Sequence, residues 1–148
     1  MACPFFMPIA KSEDIAWMHS SRLPLGAGWN GHCAAPGHEG AIPNNQELRD
    51  FCNMGYAANC PKLPAQRAWD AVRFSVSRDQ GSRLVLWFVC ELRHRPAGHG
   101  TLEYDVDRGQ WMTIHPEPRI QKMADCYLQS YLQRRTQPAS KNPTPSAN

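Results

Sequence analysis

Aliphatic side chains are scarce in the first half of this chain. Residues 1–64 hold seven Val, Ile and Leu residues together, against seven prolines and six glycines. So little apolar area cannot offset a backbone-ordering cost of roughly 1–2 kcal/mol per residue, which excludes aliphatic packing as the sole means of fixing this half. Other absences narrow the function. No apolar run approaches the roughly 20 residues of a membrane-spanning helix, so no membrane association is expected. The opening MACPFFMPIAKSEDIAW has no basic n-region and no sustained apolar h-region, so a cytoplasmic setting is expected. Stable disulfides are uncommon there. A phosphate loop of the G-x-x-x-x-G-K-[ST] type and a dinucleotide fingerprint are both missing. The net charge of +3 is too small to imply nucleic acid by itself.

What is present reads as one α+β domain over residues 1–135, followed by a Pro-, Ser- and Asn-rich stretch, 136–148, expected to be disordered. Residues 1–64 form its irregular, Cys-rich half. One helix is legible there, at about 44–54. Asn44 is its cap, Glu47 completes a capping box, and Leu48, Phe51 and Cys52 share a face. Gly55 is placed to end it, and PAQRAWDA from Pro64 reads as a second short helix.

Residues 65–135 carry the regular structure. AVRFSVSR alternates, with Val72, Phe74 and Val76 inward. RLVLWFVCE is apolar on both faces, hence central, and TLEYDV alternates again. WMTI is a possible fourth strand. Together these make a small antiparallel meander of three or four strands. HPEPRIQKMADCYLQSYLQRR gives a long C-terminal helix whose stripe of Ile120, Met123, Ala124, Tyr127, Leu128, Tyr131 and Leu132 suits covering that sheet.

Four of the six cysteines, Cys3, Cys33, Cys52 and Cys60, lie in the half least able to fold by burial. Metal–ligand bonds can supply the missing free energy. Their spacing, C-x₂₉-C-x₁₈-C-x₇-C, lacks the C-x₂₋₄-C pairs of structural zinc sites. A four-cysteine [4Fe–4S] cluster can draw its ligands from scattered loops, and it is the leading expectation. Cys3-Pro4 and Cys60-Pro61 resemble the Cys-Pro step in bacterial ferredoxins, without the ferredoxin spacing. Gly31 and Gly37 would allow backbone to approach such a cluster closely. Unligated thiols are the plain reading, and zinc, with His32 or His38 as nitrogen ligands, is the alternative metal. Cys90 reads as a core thiol and Cys126, off the helix stripe, as a half-exposed one.

The remaining signals are weaker. His32, Cys33, His38 and Glu39 allow a Cys–His enzyme to be imagined, though no third orienting group is evident. LRHRPAGHG, with His94 and His99, reads as a solvated loop between strands. Arg73, Arg78 and Arg83, with Trp69 and Trp87 nearby, offer a basic sheet face for single-stranded nucleic acid. Interspersed Asp79, Glu91, Glu103 and Asp105 make an ordinary solvated face the commoner reading. The expectation is a small non-catalytic iron–sulfur protein, used for electron transfer, redox sensing or the integrity of a larger assembly. Its partner would be a redox protein or that assembly. A nucleic-acid- or protein-binding module, zinc-stabilised or metal-free, is the rival.

Overall fold

The computed structural model describes residues 1–13, 17, 22–54 and 60–135. The chain is α+β, with a four-stranded antiparallel meander, a two-stranded antiparallel ribbon and a C-terminal helix. The ribbon pairs β1 (Phe6–Lys11) with β2 (Trp29–Cys33). A short helix, α1 (Asn45–Glu47), runs directly into a π-helical turn, Leu48–Cys52. The meander follows as β3 (Ala71–Asp79), β4 (Arg83–Leu92), β5 (Arg95–Asp105) and β6 (Gln110–Trp111), in that spatial order. Helix α2 (Pro118–Arg135) ends the described chain.

The meander follows its alternation. Val72, Phe74, Leu84, Leu86, Phe88, Cys90 and Leu102 are buried, while Arg73, Ser75 and Ser77 are exposed. Leu84, Leu86 and Ile120 show no accessible surface, and each such side chain contributes roughly 1.5–3 kcal/mol by leaving water. Strand β4 is central, paired on both edges, yet Trp87 remains 38% exposed on its outer face. WMTI supplies a strand only at Trp111; Met112 and Ile114 are exposed.

The stretch LRHRPAGHG is not a loop. The reversal is confined to Arg93 and His94, both at positive φ (53° and 64°), the backbone of a two-residue hairpin turn whose twist matches its strands. Asp70 Oδ2 accepts the Arg93 N–H at 2.8 Å and anchors this turn. Strand β5 starts at Arg95, and Pro96 sits beside a bulge in β5, where Ala97 is the extra residue opposite Cys90 and Glu91, a place where a missing N–H is tolerated. The helix expected from Pro64 does not form either. Asp70 N donates to Glu91 O at 2.7 Å and the chain enters β3 extended, while Arg67 bonds both Pro64 O and the Asp70 carboxylate.

The N-terminal half is less irregular than its composition suggests, because α2 is packed on two sides. Toward β3, Tyr127 lies against Phe74 with ring centroids 6.0 Å apart, and the Tyr131 hydroxyl donates to Asp79 at 2.7 Å. The other flank meets β1 and the segment before β2, where Arg134 donates to Gly26 O at 3.1 Å and Ser130 to Leu25 O at 3.4 Å. A Cβ on Gly26 would stand 2.5 Å from Ser130 Cβ, so only glycine permits this approach. The second flank buries Cys126, which is 1% exposed rather than half-exposed. Residues of both halves share one apolar core.

The capping box at Asn44 and Glu47 forms as the sequence indicates. After Glu47 the winding widens, and Asn53 N donates to Leu48 O at 3.0 Å. Gly55, most of the loop after Cys52 and residues 136–148 lie outside the described residues.

Candidate functional site, a cavity lined by four thiols

Each of the four N-terminal cysteines is carried by a different local structure. Cys3 precedes β1, in a segment fixed by the paired backbones of Ala2 and Val72 (2.8 and 2.9 Å). Cys33 ends β2. Cys52 ends the π-helical turn. Cys60 opens a turn closed by Leu63 N donating to Cys60 O at 3.1 Å.

Hydrogen bonds join these segments. Cys3 N donates to Cys52 O at 3.2 Å, and Ala34 N donates to Phe5 O at 2.8 Å. The Lys62 ammonium meets Glu47 at 3.2 Å and ties the Cys60 turn to α1. The outcome is one cavity lined by Cys3, Cys33, Cys52 and Cys60 together, with Phe5, Phe6, Phe51, Pro43, Glu47 and Lys62. It measures about 20 Å³, where one water needs roughly 10–15 Å³. Cys90 and Cys126 do not line it.

Asn53 is the residue that fixes Cys52 against β2. It has no exposed surface. Its Oδ1 accepts Trp29 N at 2.9 Å, and its Nδ2 donates to Trp29 O at 3.0 Å and Leu48 O at 3.1 Å. The side-chain amide thus pairs with Trp29 as the peptide group of a neighbouring strand would. Sequence reasoning missed it, because an Asn beyond a helix end signals a turn rather than a tertiary bridge. Lys62 was missed too; its one signal is that it lies two residues after Cys60.

The electrostatics are those of buried thiols close together. Burial pushes the Cys3 thiol up to about 12, with Cys33 and Cys60 adding to the rise and the Phe5 N–H opposing it. Cys52 is also raised, first by burial and then by Cys3, Cys60, Cys33 and Glu47. Glu47 is held below the usual carboxylate range, chiefly by the Asn44 N–H. Two sulfurs accept backbone N–H groups, Cys3 from Phe5 and Cys33 from Ala35, each at 3.4 Å. All six cysteines are free thiols.

This donor set fits a thiolate-ligated group in kind. Among the described residues, no three His, Cys, Asp or Glu side chains form a group fit to hold a single metal ion as they stand. The two histidines considered as ligands, His32 and His38, lie elsewhere. His32 is adjacent to Cys33 on β2, and successive strand residues point to opposite faces. It lines a separate groove with Ile9, Ile42 and Leu48, while His38 is exposed in the following turn. Neither lines the thiol cavity. Gly31 and Gly37 serve other ends than approach to a cluster. A Cβ on Gly31 would fall 2.0 Å from Met7 O, within the ribbon, and Gly37 has open space around it.

The basic face is partly neutralised. Arg73 pairs with Glu91 at 3.3 Å and Arg83 with Glu103 at 2.9 Å, while Arg78 is exposed beyond the β3 bulge. On that outer face Trp87 stacks on His99, with centroids 5.3 Å apart and planes 4° from parallel.

Fold and site define an α+β chain with a thiol-lined cavity at the junction of a ribbon and a short helix. Comparison with protein-family models, curated proteins and solved structures gives no match. No helix is long and apolar enough to cross a membrane among the described residues.

Proposed function

We propose that the chain is a small iron–sulfur protein whose [4Fe–4S] cluster is held by Cys3, Cys33, Cys52 and Cys60. One observation carries the reading: four thiols separated by up to 29 intervening residues line a single cavity, and the other two cysteines do not. When bound, the cluster supplies reversible one-electron chemistry. The cube is larger than an ion, so it suits sulfurs spaced around a volume rather than gathered on a point. At about 20 Å³ the cavity must widen, the four sulfurs moving apart, to admit it. The phenyl rings of Phe5, Phe6 and Phe51 exclude water, and the Phe5 and Ala35 N–H groups donate to sulfur, two of the means by which a protein sets a cluster's potential.

Electron transfer, redox sensing and stabilisation of a larger assembly are the roles this chemistry serves. A redox protein or that assembly is the corresponding partner. A cytoplasmic setting, where thiols stay reduced, belongs to the same proposal. Zinc on the same four thiols is the alternative ligation.

Anaerobic purification tests the reading. Iron and acid-labile sulfide near four each per chain are expected, with loss on replacing any of the four by Ser and retention in Cys90→Ser and Cys126→Ser. Zinc without sulfide, or equal iron loss from Cys126→Ser, would falsify it. Loading must also release protons, because burial keeps Cys3 and Cys52 protonated and the ligands bind as thiolates. Apparent iron affinity in reconstitution is therefore expected to rise between pH 6.5 and 8. In the metal-free fold the sign is opposite. Raised thiol values stabilise that fold fully below the ordinary value of 9.0, and the contribution fades as pH climbs through 9 toward 12.

A further inference from the structure

Resting on the cluster reading, we propose that Lys62 and Glu47 form a charge pair that tunes the site, Lys62 favouring its reduced state and Glu47 its oxidised state. Apart from the cysteines, they are the only charged side chains among the described residues lining the cavity. Four thiolates around a 2+ core leave about two negative charges in excess, and about three after one-electron reduction. Any nearby fixed charge therefore acts unequally on the two states.

The positions of both groups are set. Glu47 accepts the Asn44 N–H on Oε1 at 2.9 Å and presents Oε2 to Lys62 at 3.2 Å. The Cys60–Leu63 turn brings Lys62 back to the cavity that its neighbour Cys60 lines. Both side chains are about a quarter exposed, 24% and 23%, so solvent ions screen them less than a surface pair. An ammonium carries three donors, which leaves Lys62 hydrogens beyond the one Glu47 takes.

The alternative is a plain tether, in which the pair only pins the Cys60 turn to α1. Signs separate the two. Dithionite titration of the anaerobic, cluster-loaded full chain gives the midpoint potential. Lys62→Met is expected to shift it to more negative values, Glu47→Gln to more positive values, and Lys62→Arg to leave it near wild type. Gln preserves the capping box, so Glu47→Gln does not disturb the start of α1. Both shifts should shrink in high salt. If Lys62→Met loses its iron, the upward shift in Glu47→Gln and the persistence of the wild-type value in Lys62→Arg decide. Unchanged potentials, or shifts of the same sign in a fully loaded protein, overturn this inference and leave the cluster reading intact. A wild-type chain without iron and sulfide sinks both.

Discussion

Leu86 in the meander and Asn53 beside the thiol cavity are alike in having no exposed surface, and they do opposite things with it. Leu86 sits among aliphatic neighbours and stabilises by leaving water. Asn53 spends its burial on three hydrogen bonds that hold the backbones of Trp29 and Leu48. The two regions differ in the same way. The meander has ladders and branched side chains. The N-terminal layer, short of aliphatics, is built from directional bonds: the Asn53 bridge, the Cys3–Cys52 and Phe5–Ala34 backbone links, and the Lys62–Glu47 pair. Directional bonds give position well and stability poorly, since a typical one is worth only about 0.5–1.5 kcal/mol net. A region built this way benefits most from a bound group.

The sharpest way to break this contrast is to remove the proposed cluster. Hydrogen exchange on chelated protein is expected to lose protection in β1, β2 and the Asn45–Cys52 helix, by orders of magnitude, and to keep it in β3 to β5. Uniform protection across the chain would mean that the thiols hold nothing. Next in size are two substitutions. Leu86→Ala should cost about 2–5 kcal/mol with or without metal, read from denaturant midpoints. Asn53→Ala leaves the Trp29 N–H and C=O without their partner, at about 1–3 kcal/mol for each group left unsatisfied, and should also weaken iron retention. Equal iron content in Asn53→Ala and wild type would show that Cys52 is positioned by something else.

The smallest effect is expected on the outer face of the sheet. The exposed Arg83–Glu103 pair is worth about 0–1 kcal/mol, so Arg83→Ala should barely move stability. Arg73→Ala removes a partner of the buried Glu91 carboxylate and should cost more. Binding of a short single-stranded oligonucleotide should be weak and fall with salt, by a slope of about −0.7 for each phosphate neutralised. Submicromolar binding that survives physiological salt and disappears in the double variant would shift attention from the cavity to the Trp87–His99 face.

Much of the meander was legible because alternation reports burial directly: Val72, Phe74 and Val76 against Arg73, Ser75 and Ser77. The capping box was legible because Asn44 and Glu47 interact within four residues. Failures came where a distant partner decides. Cys126 reads as half-exposed from a helix stripe that assumes one covering layer, and α2 has two. The Arg93–His94 turn carries positive φ without the glycine or asparagine that advertises it, and its anchor, Asp70, is 23 residues away. The π-helical winding leaves the apolar spacing of Leu48 and Cys52 unchanged, so no pattern distinguished it. Cys3, Cys33, Cys52 and Cys60 were singled out by the scarcity of aliphatics around them, not by any motif. Asn53 and Lys62 were invisible because their partners lie in other segments.

The pairing of Ala2 with Val72 also has a consequence in time. During synthesis Cys3 leaves the ribosome about 70 residues ahead of the strand that pins its segment. At ~5–20 residues per second, that is a delay of several seconds. Throughout it Cys3 is an unshielded thiol, without the burial that later suppresses its ionisation and reactivity. The cavity cannot close until β3 (Ala71–Asp79) exists, so on the cluster proposal iron delivery must follow translation of about half of the chain. Oxidants have their best access to Cys3 on the nascent protein, before the fold has been made.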